Sequence, residues 1–526
     1  MPTLHWIGKE KVINHHQEVP YRVLEKQYEF NTESGSSENK IIQGDNLEAL
    51  KSLLPEYEGR INCIYIDPPY NTGNENWVYN DNVNHPKIKK WLGETVGKEG
   101  EDLSRHDKWL CMMYPRLKLL HKLLAKEGSF WLSIDDNSVV FARTILDEIF
   151  GPSKFIATNV WQKRYSRENR GSIGDSHEYI LVYSKNPEAF KMLRNKVPID
   201  EKQKKLYKNP DNDPKGPWQS VSLTAQGYRP NQMYSIEGPD GKLHFPPEGR
   251  CWGILEENYF QLRKANKITF GQNGKGVPRL KMYLEDAEGL VPWTWWPHED
   301  VGHTDEAKKE MHLFFEKDGA FDTPKPVRLI RRVLEIATSK NSIILDSFAG
   351  SGTTAHAVLN LNKEDGGNRK FILIEMEDYA DSITAERVRR VIQGYGSGSK
   401  AVEGTGGDFG FYALGPALFD TEGNLNEAVP ISEILSYIWY SETRTKWTPP
   451  VDHADRYYLG SLENTAYYFI YDPDRLTTLD FESLSAWFTQ PAEQYICYAD
   501  NCLLPEALMQ KHRIIFKKIP RDITRF

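Results

Sequence analysis

Asp67-Pro68-Pro69-Tyr70 follows directly on the apolar run "INCIYI" and gives that run a tip with distinctive chemistry. Proline offers no N–H, and each X-Pro bond pushes the residue before it into an extended conformation. The tip is therefore stiff and rich in acceptors: a carboxylate and unpaired carbonyls beside an aromatic face. That set suits the exocyclic amino group of a flat base. Hydrogen bonds from such an NH2 to Asp67 and the Pro68 carbonyl would draw its lone pair out of the ring and ready it to attack a sulfonium methyl, while Tyr70 stacks on the base. The bland reading is a plain turn after a strand, since Asp-Pro and Pro-Pro are turn signals by themselves.

A second group lies in "LDSFAGSGTTAHAV", Leu345 to Val358, where an apolar run enters Gly350 and Gly352 and a helix starts at the threonines. A glycine turn there lets backbone amides approach a ligand at the positive end of a helix dipole. Ala355 stands where a dinucleotide fingerprint needs its third glycine, and the GxxxxGK[ST] of a P-loop is missing. The next apolar run, "FILIEME", carries Glu375 at its tip. An acid there can accept from both hydroxyls of a ribose. A nucleoside cofactor without a pyrophosphate fits, which means S-adenosylmethionine rather than NAD or ATP. The competing reading is an ordinary strand-turn-helix with a surface glutamate.

Both groups need strands that end at one edge of a sheet, and the sequence supplies them. "KIIQGD", "INCIYID", "SFWLSID", "EYILVYSK", "SIILDSF" and "KFILIEME" are short apolar runs. Between them lie helical patterns: "NLEALKSLL", "WLCMMYPRLKLLHKLLAKEG" closed by Gly128, "SVVFARTILDEIFG" and "PVRLIRRVLEIAT". Apolar strands alternating with helices predict an α/β fold, a doubly wound, mostly parallel Rossmann-like sheet covered on both faces. Residues 1–35 read as an irregular lead-in. The catalytic half is expected over 36–190, an irregular β-containing insert over 191–320 and the cofactor half over 321–400. The insert includes a hairpin across Asp240-Gly241. "GYGSGSKAVEGTGGDFG" reads as a flexible link to a small α/β domain over 415–526, with strands "AYYFIYD", "QYICYAD" and "RIIFKKIP" around Trp439, Trp447 and Trp487.

At 526 residues the chain exceeds one compact core. No apolar run reaches membrane-spanning length and no signal-peptide pattern opens the chain, so a cytoplasmic protein is expected. Five scattered cysteines without a CxxC pair point away from disulfides and from a metal site. The net charge is −8, yet residues 151–285 hold 23 Lys and Arg against 14 Asp and Glu, whereas residues 415–526 hold 10 against 16. A basic middle suits a polyanion and an acidic tail suits protein partners.

Together these motifs resemble the amino-methylating DNA methyltransferases of the β class, in which the DPPY half precedes the FxGxG half around a recognition insert. "GDNLEALKSLL", "DPPYNTGNENWVYND", "GSFWLSIDDNSVVFARTILDEIFG" and "FDTPKPVRLIRRVL" are similar, more narrowly, to the Mod subunits of type III restriction-modification systems. The resemblance implies that Asp67, Pro68, Pro69 and Tyr70 hold a flipped base. It implies that Asp45, Thr323, Lys325, Asp346, Phe348, Gly350, Gly352, Thr353 and Glu375 bind S-adenosylmethionine, with Glu375 on the ribose. Asp before the prolines implies adenine N6 as the target; Ser there goes with cytosine N4. Where the family has IDDNE this chain has Ser138, which leaves a carboxylate role there open, and Asp135 and Asp136 also read as caps of the following helix. Cytosine-N4 methylation, a non-catalytic DNA-recognition subunit and an RNA or protein-amine methyltransferase are the alternatives.

Lys163, Arg164, Arg167 and Arg170 in "WQKRYSRENRG" are the candidate contacts to double-stranded DNA, or else a solvated face. The resemblance implies a homodimer or the docking of a restriction (helicase-nuclease) subunit through the tail. The chain itself carries no helicase or nuclease signature.

Overall fold

The computed structural model describes residues 3–32, 36–70, 105–166, 173–199, 201–271, 273–315, 321, 323–450, 457–488 and 490–526. They form two compact units, one of residues 1–195 with 293–526 and one of residues 196–292.

The first unit is built on a ten-stranded sheet. Its strands are β1 (Arg22–Phe30), β2 (Lys40–Gln43), β3 (Ile61–Ile66), β4 (Leu124–Ile134), β5 (Phe155–Gln162), β6 (His177–Ser184), β7 (Trp295–Trp296), β8 (Ile343–Asp346), β9 (Lys370–Glu375) and β10 (Phe409–Ala417). They run in the order β1-β10-β2-β9-β8-β3-β4-β6-β5-β7. The stretch from β10 to β4 is parallel throughout, and β6 and β1 pair antiparallel with their neighbours. The central strands are apolar on both faces because helices pack against the sheet: Ile64, Ile344, Phe371 and Ile372 are all fully buried. The helices are α1 (Asn46–Ser52), α2 (Arg105–Leu123), α3 (Val139–Phe150), α4 (Val327–Ala337), α5 (Thr353–Asp365) and α6 (Glu386–Gln393). They pack in two groups, α1 on α2 on α3 and α4 on α5 on α6. This is the expected α/β architecture with a mostly parallel sheet.

Three local expectations change. The helix read to Gly128 ends at Leu123, and β4 begins at the next residue. Gly128 is a point of close approach instead of a helix stop: a Cβ there would stand 2.9 Å from the Ile61 carbonyl oxygen and 3.0 Å from that of Asn62. The stretch around 394–410 is structured, with Gly394–Tyr395 pairing to Val402–Glu403 before the chain enters β10 between β1 and β2. The N-terminal segment holds β1, whose half-exposed residues disguise an edge strand.

A further helix, α7 (Ile431–Thr443), joins this sheet to a four-stranded one in the same unit. That sheet has the order β11 (Tyr458–Leu462), β12 (Thr465–Phe469), β13 (Gln494–Ala499), β14 (Ile514–Lys518). One core runs from Ile42 and Ile64 through Tyr437 and Ile438 to Tyr467, Phe469 and Tyr498. Trp439 meets Tyr467 edge-on at 5.3 Å between ring centroids, and the Trp447 indole donates to the Leu459 carbonyl. The Trp487 side chain lies outside the described residues.

The second unit has its own core of Leu223, Ile236, Trp252, Tyr259, Ile268 and Phe270. Its hairpin pairs Ile236–Glu237 with Leu243–His244 across Asp240-Gly241, as the sequence predicts. Buried Lys281 is held between Asp211 at 2.5 Å and Asp213 at 2.7 Å, so its charge is paired as burial requires. Among the described residues no helix is long and apolar enough to cross a membrane.

Candidate active site

The carboxyl ends of the adjacent parallel strands β2, β9, β8 and β3 lead into or end on Asp45, Glu375, Asp346 and Asp67, at the edge where α/β sheets place ligands. One cleft of about 350 Å³ opens there, lined by Tyr65, Asp67, Phe321, Thr323, Lys325, Asp346, Phe348, Gly350, Ser351 and Thr353 among others. The fold therefore brings together two motifs far apart in sequence.

At the Asp67 end, both oxygens of the carboxylate are engaged. Asp67 Oδ1 accepts the Tyr70 hydroxyl at 2.6 Å and Oδ2 takes the Lys325 ammonium at 2.6 Å. Burial pushes the Asp67 carboxyl up, against the opposing pull of Lys325. Burial alone would depress the Lys325 ammonium, but Asp67 and Glu178 beside it hold it above the ordinary range. The pair is thus an ion pair with the proton on lysine. Lys325 is fixed from behind by α4, which begins two residues later and buries Val327, Leu329, Ile330, Val333, Leu334 and Ile336. Each such side chain contributes about 1.5–3 kcal/mol of burial. The Pro-Pro tip is tied by its carbonyls: the Trp109 indole donates to Pro69 O at 2.6 Å and the Ser138 hydroxyl to Tyr70 O at 2.9 Å. Ser138 thus has a role at the loop that needs no carboxylate.

At the glycine turn the fixing groups are largely backbone. Gly350 N–H donates to Glu375 Oε2 at 2.8 Å and Glu377 N–H to Oε1 at 3.0 Å. Phe348 N–H and the Thr354 hydroxyl donate to the two oxygens of Asp346, at 3.0 and 2.6 Å. Burial raises both acids, Asp346 to about 7 and Glu375 to about 8. Gly350 and Gly352 hold φ of +50° and +79°, and a Cβ at Gly352 would stand 3.0 Å from Thr384 O. Behind the turn, buried Arg387 donates to the Ser351 and Thr353 hydroxyls, both at 2.9 Å. The donor set fits a nucleoside cofactor. Each Glu375 oxygen already accepts one backbone N–H and keeps a lone pair for a ribose hydroxyl.

The remaining candidates fall in different places. Asp45 caps α1, accepting from Leu47 N–H at 2.8 Å, and pairs with buried Arg116 at 3.4 Å, so in this conformation it is a structural cap beside the cleft. Thr323 lines the cleft with Lys325, whose ammonium goes to Asp67 and not toward the glycine turn. Lys163 lies in the same network, 2.8 Å from Asp175 and 3.3 Å from Glu178, while Arg164 is exposed. Arg167 and Arg170 lie outside the described residues, as does the chain from Asn71 to Ser104. Asp135 accepts from Asn137 N–H ahead of α3, and Asp136 takes the Tyr179 hydroxyl. Sequence reasoning missed Glu178, Trp109 and Arg387, and noted Ser138 only for the acid it replaces. Of the three missed, Glu178 left a signal, an acid opening the apolar run "EYILVYS".

The family described as DNA methylase matches residues 61–386. The Mod subunit of the type III restriction-modification enzyme StyLTI from Salmonella typhimurium is 35% identical over 439 residues, 77% of this chain and 65% of that protein. The EcoPI Mod subunit from Escherichia phage P1 is 31% identical over 72% of this chain and 64% of its own. The type II methyltransferase M.KpnI from Klebsiella pneumoniae is 30% identical over 66% of this chain and 84% of its own. The chain thus spans somewhat under two thirds of the length of the two Mod subunits.

Proposed function

Because the chain belongs to the DNA methylase family, we propose that it transfers a methyl group from S-adenosylmethionine to the N6 amino group of an adenine flipped out of double-stranded DNA, as the modification subunit of a type III restriction-modification system. The observation that carries this reading is the single cleft in which Asp67 and the Phe348–Thr353 turn stand together. When bound, the cofactor supplies an activated methyl. Glu375 would hold its ribose hydroxyls, and Phe348, Gly350, Thr353 and Thr323 would surround its methionine part. Asp67 and the Pro68 carbonyl would accept from the amino group and align it, with the base against Tyr70. Aspartate ahead of the prolines favours adenine over cytosine N4. Likeness to Mod subunits over most of this chain supports the type III assignment, with double-stranded DNA, a second copy of the chain and a restriction subunit as partners in the cytoplasm.

The test is to express the chain in a methylation-free host and sequence that host's DNA with modification detection. One asymmetric motif carrying N6-methyladenine is the expected result. Methylcytosine would reverse the choice of base, and unmodified DNA would overturn the activity.

A further inference from the structure

Both oxygens of Asp67 are already engaged by strong internal donors. Tyr70 occupies Oδ1 and Lys325 occupies Oδ2, and the Lys325 ammonium lies 4.9 Å from the Tyr70 ring centroid, over a face on which a base would stack. Both donors, however, have the same second acceptor within reach. Glu178 Oε2 is 3.0 Å from the Tyr70 hydroxyl and 3.7 Å from Lys325 Nζ. A tyrosine hydroxyl has one proton, so it serves one carboxylate fully or two poorly. Asp67 and Glu178 compete for the same two donors.

A buried ammonium cannot leave one carboxylate unless another receives it, because an unpaired buried charge is heavily penalised. Glu178 meets that requirement. It is 8% exposed at the start of β6, and its other oxygen is held by Lys163, itself tied to Asp175. A shift of Lys325 Nζ by about 1 Å turns its 3.7 Å approach into a full hydrogen bond. We propose that Glu178 is a positioning residue of the base site: it takes over the Tyr70 hydroxyl and the Lys325 ammonium from Asp67 as the target amino group enters. The exchange turns both Asp67 oxygens toward the amino group, while Lys325, moved by only about 1 Å, stays near enough to balance the Asp67 charge. It makes the free protein a closed state that the correct base opens.

This inference rests on the methyltransferase reading, and the experiment separates the two. The wild-type enzyme must first methylate a duplex carrying its motif; failure there ends the functional reading. Given an active wild type, Glu178→Gln should lower the single-turnover rate by about 100-fold while cofactor affinity by calorimetry stays within about threefold. Glu178→Asp keeps the charge and should stay within about tenfold of wild type. The deciding variant adds Tyr70→Phe to Glu178→Gln. With no hydroxyl left on Asp67 Oδ1 and the ring kept, its rate should exceed that of Glu178→Gln by about tenfold. Wild-type rates in Glu178→Gln, losses that simply add in the double variant, or a parallel loss of cofactor affinity would each overturn the proposal.

Discussion

The two ends of the cleft are built from different materials. At the glycine turn, backbone N–H groups of Phe348, Gly350 and Glu377 aim two carboxylates, all within one short stretch of β8, β9 and their loops. At the Asp67 end, side chains from four separate segments do the work: Tyr70, Trp109, Glu178 and Lys325. A backbone site is set once the strands pair, so it is ready for its ligand. A site made of long charged side chains satisfies itself when empty, and its ligand must displace internal partners. On the proposed reading, the cofactor half is preformed and the base half is closed until engaged.

The largest break in this comparison comes from Asp67→Ala. Methyl transfer should fall by more than about a thousandfold, while cofactor affinity measured by calorimetry stays within about threefold. A parallel loss of cofactor binding would mean the halves are not separable. Gly352→Ala is the mirror image. Its φ of +79° and the 3.0 Å approach to Thr384 O make any side chain strained there. Left-handed backbone costs about 1–2 kcal/mol without glycine, or about tenfold in cofactor affinity. DNA binding in a gel-shift assay should survive this change, and its loss would contradict the division.

The same contrast governs how much the sequence reveals. The glycine turn, its helix and Glu375 are legible because they are local: residues close in sequence make the geometry. The parallel strands are legible because burial on both faces leaves unbroken apolar runs such as "INCIYI". The edge strand β1 escapes notice since its half-exposed residues lack that pattern, and its neighbour β10 because the glycines before it imitate a linker. The Asp67 network is only half legible. Asp-Pro-Pro-Tyr announces itself, but the Lys325, Glu178, Trp109 and Ser138 contacts join segments that no local pattern connects. Lys163 shows the hazard best. Among neighbouring arginines it reads as a phosphate contact, yet Glu178 and Asp175 enclose it.

A pH series sharpens the comparison at smaller amplitude. In the free protein burial raises Glu375 to about 8, so its neutral form is favoured. Its contribution to stability is then complete below the ordinary carboxylate range and is lost as pH rises through about 8. On the proposed reading ribose hydroxyls bond the ionised form about tenfold better than the neutral one, so cofactor binding near pH 7 to 8 releases part of a proton. Cofactor affinity should therefore rise about fivefold from pH 6 to 8 and level off above. Glu375→Gln should flatten the profile, and calorimetry in two buffers of different ionisation enthalpy should register the proton in wild type alone. A slope that persists in the variant would place the titration elsewhere.

The smallest effect is expected from Ser138→Ala, at the point where the base half depends on a single hydroxyl. Ser138 is fully buried and donates to the Tyr70 carbonyl at 2.9 Å. Removing it leaves that carbonyl without this donor, which costs about 1–3 kcal/mol of stability and should lower the melting temperature. The tip should not collapse, because two prolines stiffen it and Trp109 still holds the Pro69 carbonyl. Methyl transfer should therefore fall only about threefold, with the loss in kcat and none in cofactor affinity. Should Ser138→Ala weaken cofactor binding instead, the tip and the glycine turn move as one body, and the contrast between a preformed half and a closed half fails.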